Sequence, residues 1–138
     1  MVMEGQTIRV QAAEAGIYEV VFDNTTDAVN TLSQQAMKEL AGAVSILQST
    51  ADLKGVLFSS NKPTFIVGAD ITEFGQMFTH DEDTIVENIT QLQGILNAIE
   101  DLQCPTVTAI NGLAVGGGFE LALSTDYRVM AVSANVGL

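Results

Sequence analysis

Within residues 106–124 the chain passes from a β-branched run through an Asn111-Gly112 turn to three consecutive glycines, Gly116, Gly117 and Gly118, and then into an apolar helix-forming stretch. A strand followed so closely by a helix that opens on bare backbone must fold that helix back across it, which is the building unit of α/β folds. The remainder of the sequence repeats the alternation.

Residues 7–11 and 16–22 are short β-rich runs separated by Ala12-Ala13-Glu14-Ala15, the pattern of a hairpin, and Asp23-Asn24-Thr25-Thr26-Asp27 follows as a polar loop. Ser33 is placed to cap a helix reaching about Gln48, in which Met37, Leu40, Val44 and Leu47 keep helical spacing and Gly42 is a weak point. Gly55-Val56-Leu57-Phe58-Ser59 reads as a strand covered on both faces, Asn61-Lys62-Pro63 as a turn, and Phe65-Ile66-Val67-Gly68 as a strand ending in glycine. Asp81-Glu82-Asp83 opens a second long helix carrying Ile85, Ile89, Leu92, Leu96 and Ile99, and Cys104-Pro105 ends it. Acidic residues in a first turn complement the helix dipole, so this charge cluster reads as a helix start. With a last strand over 127–132, the order β-β-α-β-α-β-α-β predicts an α/β fold.

Composition narrows the function. With 138 residues, 47% of them apolar, the chain has the size of one globular domain. No apolar run reaches the roughly 18 residues of a membrane span, and Glu4 stands where a signal peptide needs basic and then apolar residues, so a cytoplasmic location is expected. Seventeen acidic against five basic residues give a net charge of −12, which repels nucleic acid and anionic lipid. An anionic ligand must therefore be held by backbone N–H groups or by Arg9, Lys38, Lys54, Lys62 and Arg128. The single Cys104 excludes an internal disulfide, and the single His80 has no zinc-site spacing. Both read as structural or surface residues, and no metal is expected.

Three bare glycines let a ligand oxygen approach N–H groups at the positive end of a helix. Their spacing fits neither G-x-G-x-x-G nor a P-loop. Two readings stay open: a site for an oxyanion that develops during a reaction, or close packing of helix on strand. Glu120, in the first turn of that helix, either shares the same pocket as an ionised carboxylate or caps its own helix. Gly68-Ala69-Asp70 either presents the Ala69 N–H to a ligand or is ordinary turn chemistry.

Taken together, Asn61-Lys62-Pro63-Thr64-Phe65-Ile66-Val67-Gly68-Ala69-Asp70-Ile71 and Asn111-Gly112-Leu113-Ala114-Val115-Gly116-Gly117-Gly118-Phe119-Glu120-Leu121 resemble the two signature segments of the crotonase (enoyl-CoA hydratase/isomerase) superfamily, in the right order and at a fitting distance. The resemblance implies a crotonase-like ββα spiral. It assigns the oxyanion hole to the N–H groups of Ala69 and Gly117, the catalytic carboxylate to Glu120, and further substrate contacts to Gly68, Asp70 and Gly116. The implied reaction adds water to a trans-2-enoyl-CoA to give a 3-hydroxyacyl-CoA, with 3-enoyl-CoA isomerisation as a second activity and no cofactor. Phe119 departs from the small residue often found before the glutamate, which bears on the acyl pocket.

Asp52-Leu53-Lys54-Gly55, residues 65–74 and Ser124-Thr125-Asp126-Tyr127-Arg128 are most similar to a branch of the family found in bacterial β-oxidation complexes. There a hydratase/isomerase domain precedes an NAD-dependent dehydrogenase domain, and a thiolase β subunit is the partner in an oligomer. The family's second glutamate lies in a Gly-Leu-Pro-Glu type segment, and Gly137-Leu138 matches its start. On this reading residues 1–138 are the N-terminal part of one domain, incomplete at the C-terminus and nearly inactive alone. Another crotonase-type acyl-CoA reaction, or a non-catalytic CoA-thioester-binding module, would use the same segments.

Overall fold

A computed structural model describes residues 1–68 and 81–138. It is a mixed α/β structure built on a six-stranded sheet. The strands are β1 (Met3–Glu4), β2 (Ile8–Ala12), β3 (Ile17–Phe22), β4 (Gly55–Ser60), β5 (Thr106–Ile110), β6 (Ala114–Val115), β7 (Tyr127–Met130) and β8 (Val136–Gly137). The helices are α1 (Gln34–Gln48), α2 (Glu82–Glu100) and α3 (Gly117–Ser124). The main sheet runs β1-β2-β3-β4-β5-β7. β1 to β3 are antiparallel, as a hairpin requires, whereas β3, β4, β5 and β7 are parallel and joined through α1, α2 and α3.

Both long helices begin where side-chain capping predicts. Ser33 Oγ accepts from Ala36 N at 3.0 Å, and Asp81 Oδ1 accepts from Thr84 N at 2.8 Å, each satisfying one of the orphan donors of a first turn. Met37, Leu40, Val44 and Leu47 are all buried against β2, β4 and their neighbours. The stripe on α2 is only partly covered. Ile95 and Ile99 are buried and Leu92 and Leu96 pack against the core, but Ile89 is half exposed. The core therefore meets the C-terminal half of that helix. No helix among the described residues is long and apolar enough to cross a membrane.

Two polar knots tie the sheet's connections. Glu39 on α1 reaches across to β2, accepting from Thr7 N at 3.0 Å and Ile8 N at 3.1 Å on one oxygen and from Gln35 Nε2 at 2.7 Å on the other. Burial opposes its charge, but the hydrogen bonds from Thr7, Gln35 and Ile8 together outweigh burial and hold the carboxyl below its ordinary range. Asp23, just past β3, accepts from Asn61 Nδ2 at 2.9 Å and pairs with Arg9 at 2.7 Å and Lys62 at 3.4 Å, which also keeps it ionised.

The sequence reads residues 65–68 as a strand ending in glycine, and the main sheet is where such a strand would pair. They form none there. They run between two other pieces of chain, with Phe65 N donating to Leu113 O (2.9 Å) and Ile66 O accepting from Val115 N (3.1 Å) on one side. On the other, Val67 N donates to Asn30 O (2.9 Å) and Gly68 O accepts from Leu32 N (2.8 Å). A single parallel bridge, Val67 to Val115, marks the contact. β6 pairs in parallel with β8, so residues 30–32, 65–68, β6 and β8 line up as a second, smaller layer beside the main sheet. The run is apolar and buried like a strand, but its partners lie outside the sheet that its neighbours β4 and β5 build.

Candidate active site

The small layer ends where Gly68 meets the start of α3. Gly68 has φ +77° and Gly116 φ +57°, backbone conformations that side-chain-bearing residues rarely adopt. The two lie side by side, close enough that a Cβ built on Gly116 would be 3.5 Å from the Gly68 Cα. The two segments singled out in the sequence therefore converge, main chain against main chain. The contact is reinforced upstream, where Asn111 Nδ2 donates to Lys62 O at 2.6 Å and a side chain on Gly112 would strike Pro63 O.

The three consecutive glycines do three different things. Gly116 is the N-cap and turns the chain, its own N–H donating to Gly137 O at 3.0 Å. Gly118 is buried because any Cβ there would collide with Ile66 O, so helix and segment touch directly. Gly117, the first helical residue, faces Leu32, whose Cδ1 would lie 2.7 Å from an added Cβ. Phe119 N and Glu120 N both donate to Gly116 O, at 3.1 and 3.0 Å. Among the described residues no acceptor outside the helix engages the Gly117 N–H, which sits at the positive end of the α3 dipole. The packing reading of the glycines thus holds for Gly118, while the Gly117 N–H is not engaged outside its helix among the described residues. Ala69 and Asp70, the other two predicted contacts, lie outside the described residues, as does His80.

Glu120 is the fourth residue of α3, and among the described residues its side chain makes no hydrogen bond back to the start of the helix, so the capping alternative is not realised there. Its exposed side chain lines an open depression of about 290 Å³ with Ser124 and Leu123 of α3 and Leu96 and Glu100 of α2. Leu92 of α2 lies 4.0 Å from a Cβ built on Gly117, so α2 also reaches the start of α3, whereas the depression at Glu120 is lined by none of the three glycines. Phe119, half-buried, packs on the core beside this turn. Of the cations, Arg9 and Lys62 are paired to Asp23, and Arg128 donates to Ala122 O and Thr125 O at 3.1 and 2.8 Å, closing the C-terminal end of α3. Cys104 is half-buried, its thiol pushed up by burial and then by the Asp126 charge, which disfavours a reactive thiolate.

Sequence reasoning missed Asn30 and Leu32. Both are buried, and both bond the segment that carries Gly68. The available signal was an amide residue standing in the run Ala28-Val29-Asn30-Thr31-Leu32 immediately before a helix cap, too short a pattern to carry a role.

The sequence pattern of the family described as Enoyl-CoA hydratase/isomerase matches residues 12–138. Over all 138 residues the chain is 49% identical to a fatty acid oxidation complex subunit alpha from Pseudomonas putida and 45% identical to one from Acinetobacter baumannii, and it spans 19% of the length of each. An enoyl-CoA hydratase from Bacillus anthracis superposes with a TM-score of 0.84 at 28% identity, over 95% of this chain and 50% of that one.

Proposed function

Since the chain belongs to the enoyl-CoA hydratase/isomerase family, we propose that it carries the thioester-binding half of a hydratase site acting on trans-2-enoyl-CoA. The observation that supports this reading is the close approach of the Gly68 and Gly116 main chains at the positive end of α3, with Glu120 in the first turn of that helix.

The chemistry follows from charge. Water adding to the β-carbon of an enoyl thioester pushes an electron pair onto the carbonyl oxygen, making an enolate. Donors already aimed at that oxygen lower the barrier because they meet more charge in the transition state than in the substrate. Gly117 N–H is one such donor. The resemblance assigns the second to the N–H of Ala69, the residue that follows Gly68 in the sequence. The resemblance gives Gly68, Asp70 and Gly116 further contacts with the substrate.

Glu120 takes the proton of the attacking water as its oxygen bonds to the β-carbon. A proton is then delivered to the α-carbon, giving the 3-hydroxyacyl-CoA. The resemblance assigns that step to a second carboxylic acid in a segment beyond Leu138, residues 1–138 being the N-terminal part of the domain. The same pair of acids would move a proton between carbons in 3-enoyl-CoA isomerisation. No cofactor enters either step. NAD belongs to a following dehydrogenase domain, and a thiolase β subunit, an oligomeric state and a cytoplasmic location belong to the same proposal, supported by the similarity to the oxidation-complex subunits.

The test is turnover of crotonyl-CoA by the full-length native protein and by its Glu120→Gln variant. Loss of hydration in the variant, with the fold retained, is the expected result; near-native turnover removes Glu120 from the mechanism.

A further inference from the structure

Resting on the reading of residues 1–138 as the N-terminal part of a domain, and on no step of the reaction, we propose that the face of the main sheet turned away from its helices is a docking surface. Its occupant is an amphipathic helix of the same polypeptide, from the segment that follows Leu138. Side chains alternate across a strand, so Val56 and Phe58 of β4 point to one face and Leu57 to the other. The first face is the core: Val20, Val56, Phe58 and Ile110 are buried together with side chains of all three helices. On the second face, register sets Leu57 beside Val107 and Val107 beside Tyr127, with Val129 next along β7 and Ile17 next to Gly55 on β3. None of these five apolar side chains joins the core, and Ile17, Tyr127 and Val129 are 38%, 65% and 65% exposed.

An open apolar face is out of character for parallel strands, which in α/β proteins are covered on both sides. The run Gly55-Val56-Leu57-Phe58-Ser59 carries that expectation in its sequence, and the described residues cover only one side of it. The open side is also shaped. A hollow of about 370 Å³ is lined by Ile17, Gly55, Leu57, Pro105 and Val107, and Lys54 is the only charged residue among those lining it. Lys54 makes no ion pair among the described residues, whereas Arg9 and Lys62 are already bound to Asp23. A helix laid on a sheet is the layer that buries such a surface, and the one that fits has apolar residues at helical spacing and a carboxylate toward Lys54. Length supplies its source: the 138 residues cover 50% of the solved hydratase's chain, so the other half of such a domain is available to provide it.

The experiment replaces Tyr127, in the full-length native protein, with the photoreactive p-benzoylphenylalanine, which keeps an aromatic ring at that place, and maps what it joins on irradiation. An internal cross-link within a single chain is expected, to a peptide beyond Leu138 with apolar residues at helical spacing and an Asp or Glu among them. A dimer-sized product, which puts a second copy on this face, would overturn the proposal, as would attachment to a peptide without that pattern or no attachment at all. If this variant does not fold, Val129→Cys decides. Its thiol is expected to react with a maleimide at least about 10-fold more slowly in the native protein than after unfolding in urea, independently of protein concentration. Equal rates, or protection that fades on dilution, would overturn the cover. A native protein with the mass of residues 1–138 alone would refute the N-terminal reading, and the helix with it.

Discussion

The first turn of α3 rests directly on Ile66: a methyl group placed on Gly118 would lie 2.7 Å from the Ile66 Cβ and closer still to its carbonyl oxygen. Backbone cannot move aside as a side-chain end can, so Gly118→Ala should destabilise by about 1–3 kcal/mol, the scale of overpacking a well-filled core. Gly117→Ala meets the movable end of Leu32 and should cost less. Urea midpoints of the two variants check the order, and equal midpoints would contradict the packing described.

Glu120→Gln should leave stability within about 0.5 kcal/mol, because the residue is exposed and bonds no described neighbour through its side chain. Hydration by the full-length protein should fall roughly 10²- to 10⁴-fold, the contribution of a positioned general base. The separation of the two effects is the informative part, and it is read by a thermal melt and a steady-state assay on the same preparation.

Glu39 supplies a pH dependence whose sign is fixed by its surroundings. Its folded pKa lies below the ordinary 4.5, so the stability it contributes is present above that value and lost as pH falls through the folded pKa. Glu39→Gln removes the charge and sets an amide against the Gln35 donor, at a cost of about 1–3 kcal/mol. The gap in melting temperature between wild type and variant should be widest near neutral pH and narrow below about pH 4.5. Asp23 is also held below its ordinary range, first by Asn61 and then by Arg9, so acid unfolding of the wild type involves both carboxylates. A gap independent of pH would argue against an ionised Glu39.

Gly42 sits exposed in the middle of α1 with open space where a Cβ would go. Gly42→Ala should therefore stabilise by about 0.5–1 kcal/mol through the lower entropy of the unfolded chain. A raised urea midpoint with unchanged activity of the full-length protein is the expected outcome.

Much of this architecture could be read from the sequence where a local rule operates. The cap at Ser33 was visible because a polar side chain before an apolar stripe has one good use, and the start of α2 because acidic residues at Asp81-Glu82-Asp83 suit a first turn, although the capping role of Asp81 itself was not read. The hairpin of β2 and β3, the buried run of β4 and the turn into α3 were visible for similar local reasons. β1, β6 and β8 were not, since two residues have no periodicity to detect. Residues 65–68 misled for the opposite reason: their composition is that of a strand, but their hydrogen bonds go to Asn30, Leu32, Leu113 and Val115. The expected stripe on α2 extended too far toward its N-terminus, because periodicity reports which residues share a face and not whether anything packs on it. At the site, Gly68, Gly116 and Gly117 were legible as bare backbone within two recognisable segments, whereas the place of Asn30 depends on bonds to Phe22, Ser60 and Phe65 that no local pattern announces.

The small layer made of residues 30–32, 65–68, β6 and β8 has a kinetic corollary. Each of its pieces is separated from the next by a helix or by a long excursion of chain, so every pairing closes a large loop and gains only two or so hydrogen bonds in return. Local units such as the β2–β3 hairpin and the capped helices can form first, and this layer can close only on a scaffold that already exists. The meeting of Gly68 with Gly116 is then among the last features the polypeptide acquires, and binding there would report that folding has reached its end.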